Sequence, residues 1–293
     1  MEENIIKRRL IKQGKGGYTV TVPIDFVRNN DLEAGTEIRF IPLADGLLMS
    51  ATATKPKKEI TFTLEDNDKT RLRTIISSFY RRGYDTITLK TTDPISFSRI
   101  NKITESLLGL VATEHTENNI ILQNMMKDDF EDVEKIITKL CYTVKHFNKL
   151  VLEDLTDKST KNEEIKSLRK TTMKLRDYCQ RMITTTNYQK DKSQEYNLLV
   201  FTIEKIASNF YNFHLNKKEL NKKQKIINEL NTLNDIFSDL FEIYRKKDSK
   251  KIVKANQKIF IQKRDLNVNH PLILVLKENL FTLSSRITGL LLS

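Results

Sequence analysis

In the C-terminal half, apolar residues recur at alternating steps of three and four. One series runs Phe130, Val133, Ile137, Leu140, Val144, Phe147, Val151, and a second runs Leu199, Ile203, Ile206, Phe210, Phe213. A third is Ile226, Leu230, Leu233, Phe237, Leu240, Tyr244, and a fourth Leu276, Leu280, Leu283, Ile287, Leu290. Each series places an apolar stripe along one helix face, so the spacing predicts four amphipathic helices. Weaker stripes over 165–182 and 252–260 predict two more. The interruptions near 157–162, 186–193, 216–222, 248–250 and 267–271 are short, which makes consecutive helices antiparallel neighbours. Residues 127–293 are therefore expected to form a six-helix domain of two three-helix units, 127–216 and 217–293.

The period changes to two in the N-terminal part. Over 18–22, β-branched and aromatic residues alternate as in a strand, after a turn-forming Gly14, Gly16 and Gly17. Pro23 ends that strand and opens a short helix over 24–30. A turn at Gly35, a strand over 37–42, the hairpin signal Asp45-Gly46 and a strand over 47–51 complete a small β unit, residues 1–54. Lys55, Pro56, Lys57 and Lys58 read as a linker. In residues 59–126 the alternation of Ile60, Phe62 and Leu64 predicts a strand. A helix capped by Asp66 or Asn67 runs to about Arg82 and ends at Gly83. Ile87 and Leu89 mark a second strand, and Ile100, Ile103 and Leu107 share one face of a helix over 94–108. A hairpin follows from 111–113 and 119–123. The expected class is α+β, predominantly α.

Composition narrows the partners. The 50 Lys+Arg outnumber the 38 Asp+Glu, for a net charge of +12. Such an excess favours a polyanion, although a generally Lys-rich surface accounts for it too. Cys141 and Cys179 are too few for a disulfide framework and lack the spacing of a zinc site, which predicts a reducing, cytoplasmic setting. The N-terminus has no apolar core of a signal peptide. Residues 271–293 are interrupted by Lys277, Glu278, Asn279 and Arg286, so no membrane insertion is expected.

Candidate chemistry is sparse. No nucleotide-binding glycine loop, nucleophile elbow or metalloprotease helix occurs, and His115, His146, His214 and His270 belong to no ligand pattern. The chain is thus expected not to be an enzyme. Carboxylates stand four apart at Asp128/Asp132, Glu153/Asp157 and Asp235/Asp239, and the last pair falls off the apolar stripe, toward water. The sharper signal is Lys7, Arg8, Arg9, Lys12 and Lys15, in or beside the first strand. Repeated in a two-fold dimer, they would contact the phosphates of double-stranded DNA; the plainer reading is a charged strand protecting a sheet edge. Two further basic runs are read as solvated helix ends: Lys217, Lys218, Lys222, Lys223, Lys225, and Arg245, Lys246, Lys247, Lys250, Lys251.

Arg9 to Ser50 resembles the AbrB/SpoVT-like swapped-hairpin domain. The resemblance rests on a basic first strand, a glycine turn, Tyr18-Thr19-Val20-Thr21-Val22-Pro23, a short helix, Leu32-Glu33-Ala34-Gly35-Thr36-Glu37, a strand, Asp45-Gly46 and a last strand. It implies an interlaced homodimer that binds DNA. The helical region resembles the PhoU family of phosphate-uptake regulators, built from two three-helix repeats; its best local piece runs from Ile203-Glu204-Lys205-Ile206 through Ala207-Ser208 to Asn212. The combination looks like an archaeal PhoU-related regulator. It implies a regulator of phosphate uptake whose helical domain binds an effector or a phosphate-transport or signalling partner. In that family a Glu and an Asp four apart bind a metal cluster. Here Glu204 is followed by Ser208, and the matching positions of the last helix hold Phe281 and Ser285, so the metal sites are expected to be absent or reduced.

Overall fold

The computed structural model describes residues 6–14, 16–43, 46–51, 57–65, 70–126, 133–156, 161–186, 188–220, 223–264 and 270–292. The protein is α+β and mostly helical, and its chain divides into two compact units, residues 1–57 and 58–293.

In the first unit, β1 (Ile11–Gln13) pairs antiparallel with β2 (Gly17–Thr19), Ile11 opposite Thr19. Gly14 makes the turn at a φ of 58°, a conformation that a residue with a Cβ seldom adopts. After Pro23 comes α1 (Ile24–Asn29), then the antiparallel hairpin of β3 (Ile38–Leu43) and β4 (Gly46–Ala51). The two ribbons remain separate two-stranded sheets. The strand expected over 18–22 stops at Thr19; among the described residues no strand pairs with Val20, Thr21 and Val22. None of the described residues of this unit is buried. Leu10 is 70% exposed, Tyr18 66% and Leu47 61%; Ile11, Ile24 and Phe40 are exposed as well.

The second unit begins with a four-stranded sheet of β5 (Glu59–Leu64), β6 (Thr86–Thr91), β7 (Leu110–His115) and β8 (Asn119–Asn124), in the order β5-β6-β8-β7. β5 and β6 are parallel, joined through α2 (Leu72–Arg81); the other pairs are antiparallel. Ile87 and Leu89 of β6 and Ile120 and Leu122 of β8 alternate into a core with Leu72, Ile76 and Tyr80 of α2 and Ile100 and Ile103 of α3 (Phe97–Thr104). That core is what the period-two pattern predicts for a sheet with one covered face. The helix expected over 94–108 is shorter. Ser106 Oγ donates to the Ile103 carbonyl and Leu107 N–H to Thr104, so the chain leaves α3 through tight turns. The cap expected at Asp66 or Asn67 lies outside the described residues.

Six helices follow: α4 (Val133–Thr156), α5 (Asn162–Thr185), α6 (Ser193–Leu215), α7 (Lys223–Lys246), α8 (Ser249–Arg264) and α9 (Pro271–Leu292). α4, α5 and α6 touch one another, as do α7, α8 and α9; α4 against α7 and α6 against α9 join the two sets. One apolar core runs continuously from Val133 to Ile287. The sheet attaches to it through α2 packed on α5. At that contact Gly83, at a φ of 81°, ends α2, and a Cβ there would meet Thr185 Cγ2 at 2.6 Å. Gly83 therefore serves both the helix stop and the close approach. Among the described residues no helix is long and apolar enough to cross a membrane.

Candidate functional sites

The N-terminal cations are placed first by strand geometry. Lys7, Arg8 and Arg9 precede β1, and Lys12 lies within it, opposite Tyr18. Successive side chains of a strand point to opposite faces, so Lys12 and its apolar neighbour Ile11 mark two different faces of the ribbon. All four cations are exposed, and Arg8 donates only to the Lys7 carbonyl, at 3.2 Å. Lys15 lies outside the described residues. No carboxylate occurs between Asn4 and Ile24, so this positive potential is not neutralised locally along the chain.

Glu204 is the one carboxylate at the positions that the resemblance singles out. It is buried in α6, one turn before Ser208, whose hydroxyl donates to Glu204 Oε1 at 3.0 Å. α5 delivers two guanidiniums: Arg169 Nη2 stands 2.5 Å from Oε1, and Arg176 Nη1 donates to Oε2 at 3.1 Å. Burial pushes the Glu204 carboxyl up, but Arg169 and Arg176 outweigh it and hold the group below its ordinary value. Both oxygens a hard cation would need are thus bonded by fixed positive charges. These residues do not fit a metal. On α9, Phe281 is half-buried and Ser285 exposed, and neither is a carboxylate. Among the described residues no group of three His, Cys, Asp or Glu converges on a point.

The same face of α5 meets α2. Asp177 is fully buried; its Oδ1 accepts from Arg81 at 3.0 Å and from Arg176 Nε and Nη2 at 3.0 and 2.8 Å. Its Oδ2 is buried without a hydrogen-bond partner. One turn on, Arg181 is buried and donates to the carbonyls of Tyr80 (3.2 Å) and Tyr84 (2.8 Å) and to Asp85 Oδ1 (2.5 Å). Asp85 Oδ2 in turn accepts the Lys58 N–H at 3.0 Å, which ties the start of β5 into the same network. The sheet is thereby latched to the helical bundle by one arginine.

Sequence reasoning missed this cluster although its signal was present. In α5 the inward series is Ile165, Arg169, Thr172, Arg176, Cys179, Ile183, again at steps of four and three. The stripe over 165–182 is weak because guanidiniums occupy its inward positions. That pattern is recognisable only once a partner carboxylate from another helix, here Glu204, is known.

Two other buried polar groups organise the bundle. Asp154 of α4 accepts from His214 Nδ1 at 2.8 Å and from Lys217 Nζ at 2.9 and 3.1 Å. This corrects the reading of Lys217 as part of a solvated run: a buried carboxylate needs its charge, and the end of α6 supplies it. Lys222 of that run lies outside the described residues. In the other run Arg245 and Lys246 pair with Glu242 and Lys251 pairs with Asp248, as helix-end charges do. Glu134 of α4 accepts from the hydroxyls of Tyr188 (3.0 Å), Tyr196 (3.3 Å) and Tyr244 (2.6 Å). Burial and the Glu134 charge push the Tyr196 hydroxyl up to about 12, so it remains a donor at neutral pH. Asp235 and Asp239 face solvent; Asp128, Asp132 and Asp157 lie outside the described residues.

Compared with protein families, with curated proteins and with solved structures, the chain matches none.

Proposed function

We propose that the protein is a dimeric DNA-binding regulator, with the N-terminal unit as the dimerisation and DNA-gripping part and the helical domain as the effector- or partner-binding part. The observation that carries this reading is the state of residues 6–51. Two ribbons of two strands each, with no buried residue among those whose burial is described, are at best marginally stable by themselves in water. A second copy of the same unit supplies the missing strand edges and covers Leu10, Tyr18 and Phe40. Pairing two copies also doubles the row of Lys7, Arg8, Arg9 and Lys12, which is what a duplex backbone attracts. Regulation of phosphate uptake is the process implied by the likeness of the helical region to PhoU regulators.

The test is the salt dependence of duplex binding. Changing Arg8, Arg9 and Lys12 together to Ala removes up to about six phosphate contacts per dimer, which lowers the slope of log K against log salt by about 5. A slope unchanged by the triple substitution, or no salt-dependent binding in the parent, would reduce the N-terminal unit to a dimerisation clip in a protein that acts on phosphate-transport or signalling components.

A further inference from the structure

Where α2, α5 and α6 meet, arginine exceeds its partners. Arg73 and Arg81 come from α2, Arg169 and Arg176 from α5. The carboxylates bonded among them are Asp177 and Glu204. Glu204 is taken by Arg169 and Arg176, and Asp177 Oδ1 by Arg176 and Arg81. Arg73 is left with a single hydrogen bond, Nη2 to Ser106 Oγ at 3.3 Å, and no carboxylate among the described residues. Burial, with the fields of Arg176, Arg169 and Arg81, holds its pKa below the usual value against the opposing field of Asp177, which Arg73 feels without a hydrogen bond to it. Even so, a guanidinium does not shed its proton near neutrality, so the excess positive charge persists there.

Arg169 and Arg176 are largely buried, while Arg73 and Arg81 are partly exposed and reachable from solvent. A second feature has the opposite sign: Asp177 Oδ2, on the carboxylate that binds Arg81 and Arg176, is a buried acceptor with no donor. An unsatisfied buried acceptor is costly. An oxyanion carrying its own O–H answers both: its ionised oxygens take the spare N–H groups of Arg73 and Arg81, and its hydroxyl donates to Asp177. Monohydrogen phosphate has that composition near neutral pH; a phosphate monoester is there mostly the dianion without an O–H, and sulfate has the size and charge but no proton.

We infer that the arginine cluster of Arg73, Arg81, Arg169 and Arg176 is a binding site for a phosphate-class oxyanion, selected over sulfate by Asp177. The inference deepens the regulator reading by giving the effector a chemical class. Because the binding is read without DNA, the two can fail separately.

The 293-residue protein is titrated calorimetrically with inorganic phosphate, with adenosine monophosphate and with sulfate, all at one ionic strength near pH 7. Phosphate is expected to bind at least tenfold more tightly than sulfate. If only the nucleotide binds, an O–H donated to Asp177 is not what selects the ligand, and the assignment is overturned. Arg73→Gln keeps the aliphatic stem and disturbs neither carboxylate clamp, so its melting temperature is expected to stay within about 2 °C of the parent while affinity falls at least tenfold. Absence of heat with both phosphate ligands, equal binding of phosphate and sulfate, or full affinity in the Arg73→Gln protein would each overturn the assignment. If that variant melts well below the parent, Arg73→Lys, which keeps the charge but not the paired N–H groups, replaces it in the same comparison.

Discussion

Glu204→Gln is expected to cost the second unit about 3–5 kcal/mol, the penalty for removing one partner of a buried ion pair. The substitution keeps the shape and one acceptor oxygen but leaves Arg169 and Arg176, both largely buried, facing each other without their shared anion. The thermal midpoint should drop by roughly 10 °C at pH 7. Glu204 titrates lower in the folded chain than its ordinary value of 4.5. Its contribution is therefore complete above that value and disappears as pH falls through the depressed folded pKa. The parent should lose stability steeply in that acid range, and the Gln variant much less. A double variant, Glu204→Gln with Arg169→Met, should be more stable than the sum of its parts, because it removes the cation that Glu204 alone neutralises, whereas Arg176 keeps Asp177. A Glu204→Gln protein that melts with the parent would show that the arginines do not depend on that carboxylate.

Arg181→Met should be comparably severe, about 3–5 kcal/mol, and more local in its consequences. Methionine fills the space but donates nothing, so the carbonyls of Tyr80 and Tyr84 lose their buried donor and Asp85 its countercharge. Those groups sit at the end of α2 and the entrance to β6, where the sheet meets α5. Hydrogen exchange is the informative measurement. Amides of β5, β6 and β8 should lose protection well before those of α4 and α6, since the helical core does not pass through Arg181. Uniform loss of protection across the sheet and all the helices would instead make Arg181 an ordinary core contact.

Much of this architecture was legible in the chain. Stripes at steps of three and four foretold the long helices because each needs only one apolar face, and that face is a local property. The alternations Ile60, Phe62, Leu64 and Ile87, Leu89 foretold strands for the same reason, as Gly83 foretold the end of α2. What escaped was non-local. Lys217 belongs to a run that looks solvated, yet it neutralises Asp154 from a helix about sixty positions earlier. Arg169 and Arg176 looked like gaps in a stripe until α6 brought Glu204 against them. The length of β2 also escaped: alternation over 18–22 marks residues suited to a strand, and among the described residues none pairs with Val20 or Val22.

The proposed pairing of two N-terminal units is the centre of the account, and the mass of the 293-residue protein in solution tests it most directly. By sedimentation equilibrium the parent should weigh about twice the 34.2 kDa of one chain. Tyr18→Asp, at a position open to water in the single chain, should return it to one copy and abolish duplex binding together. A parent that binds duplex DNA as a single chain, or a Tyr18→Asp protein that still sediments as a dimer through its N-terminal unit, would contradict it.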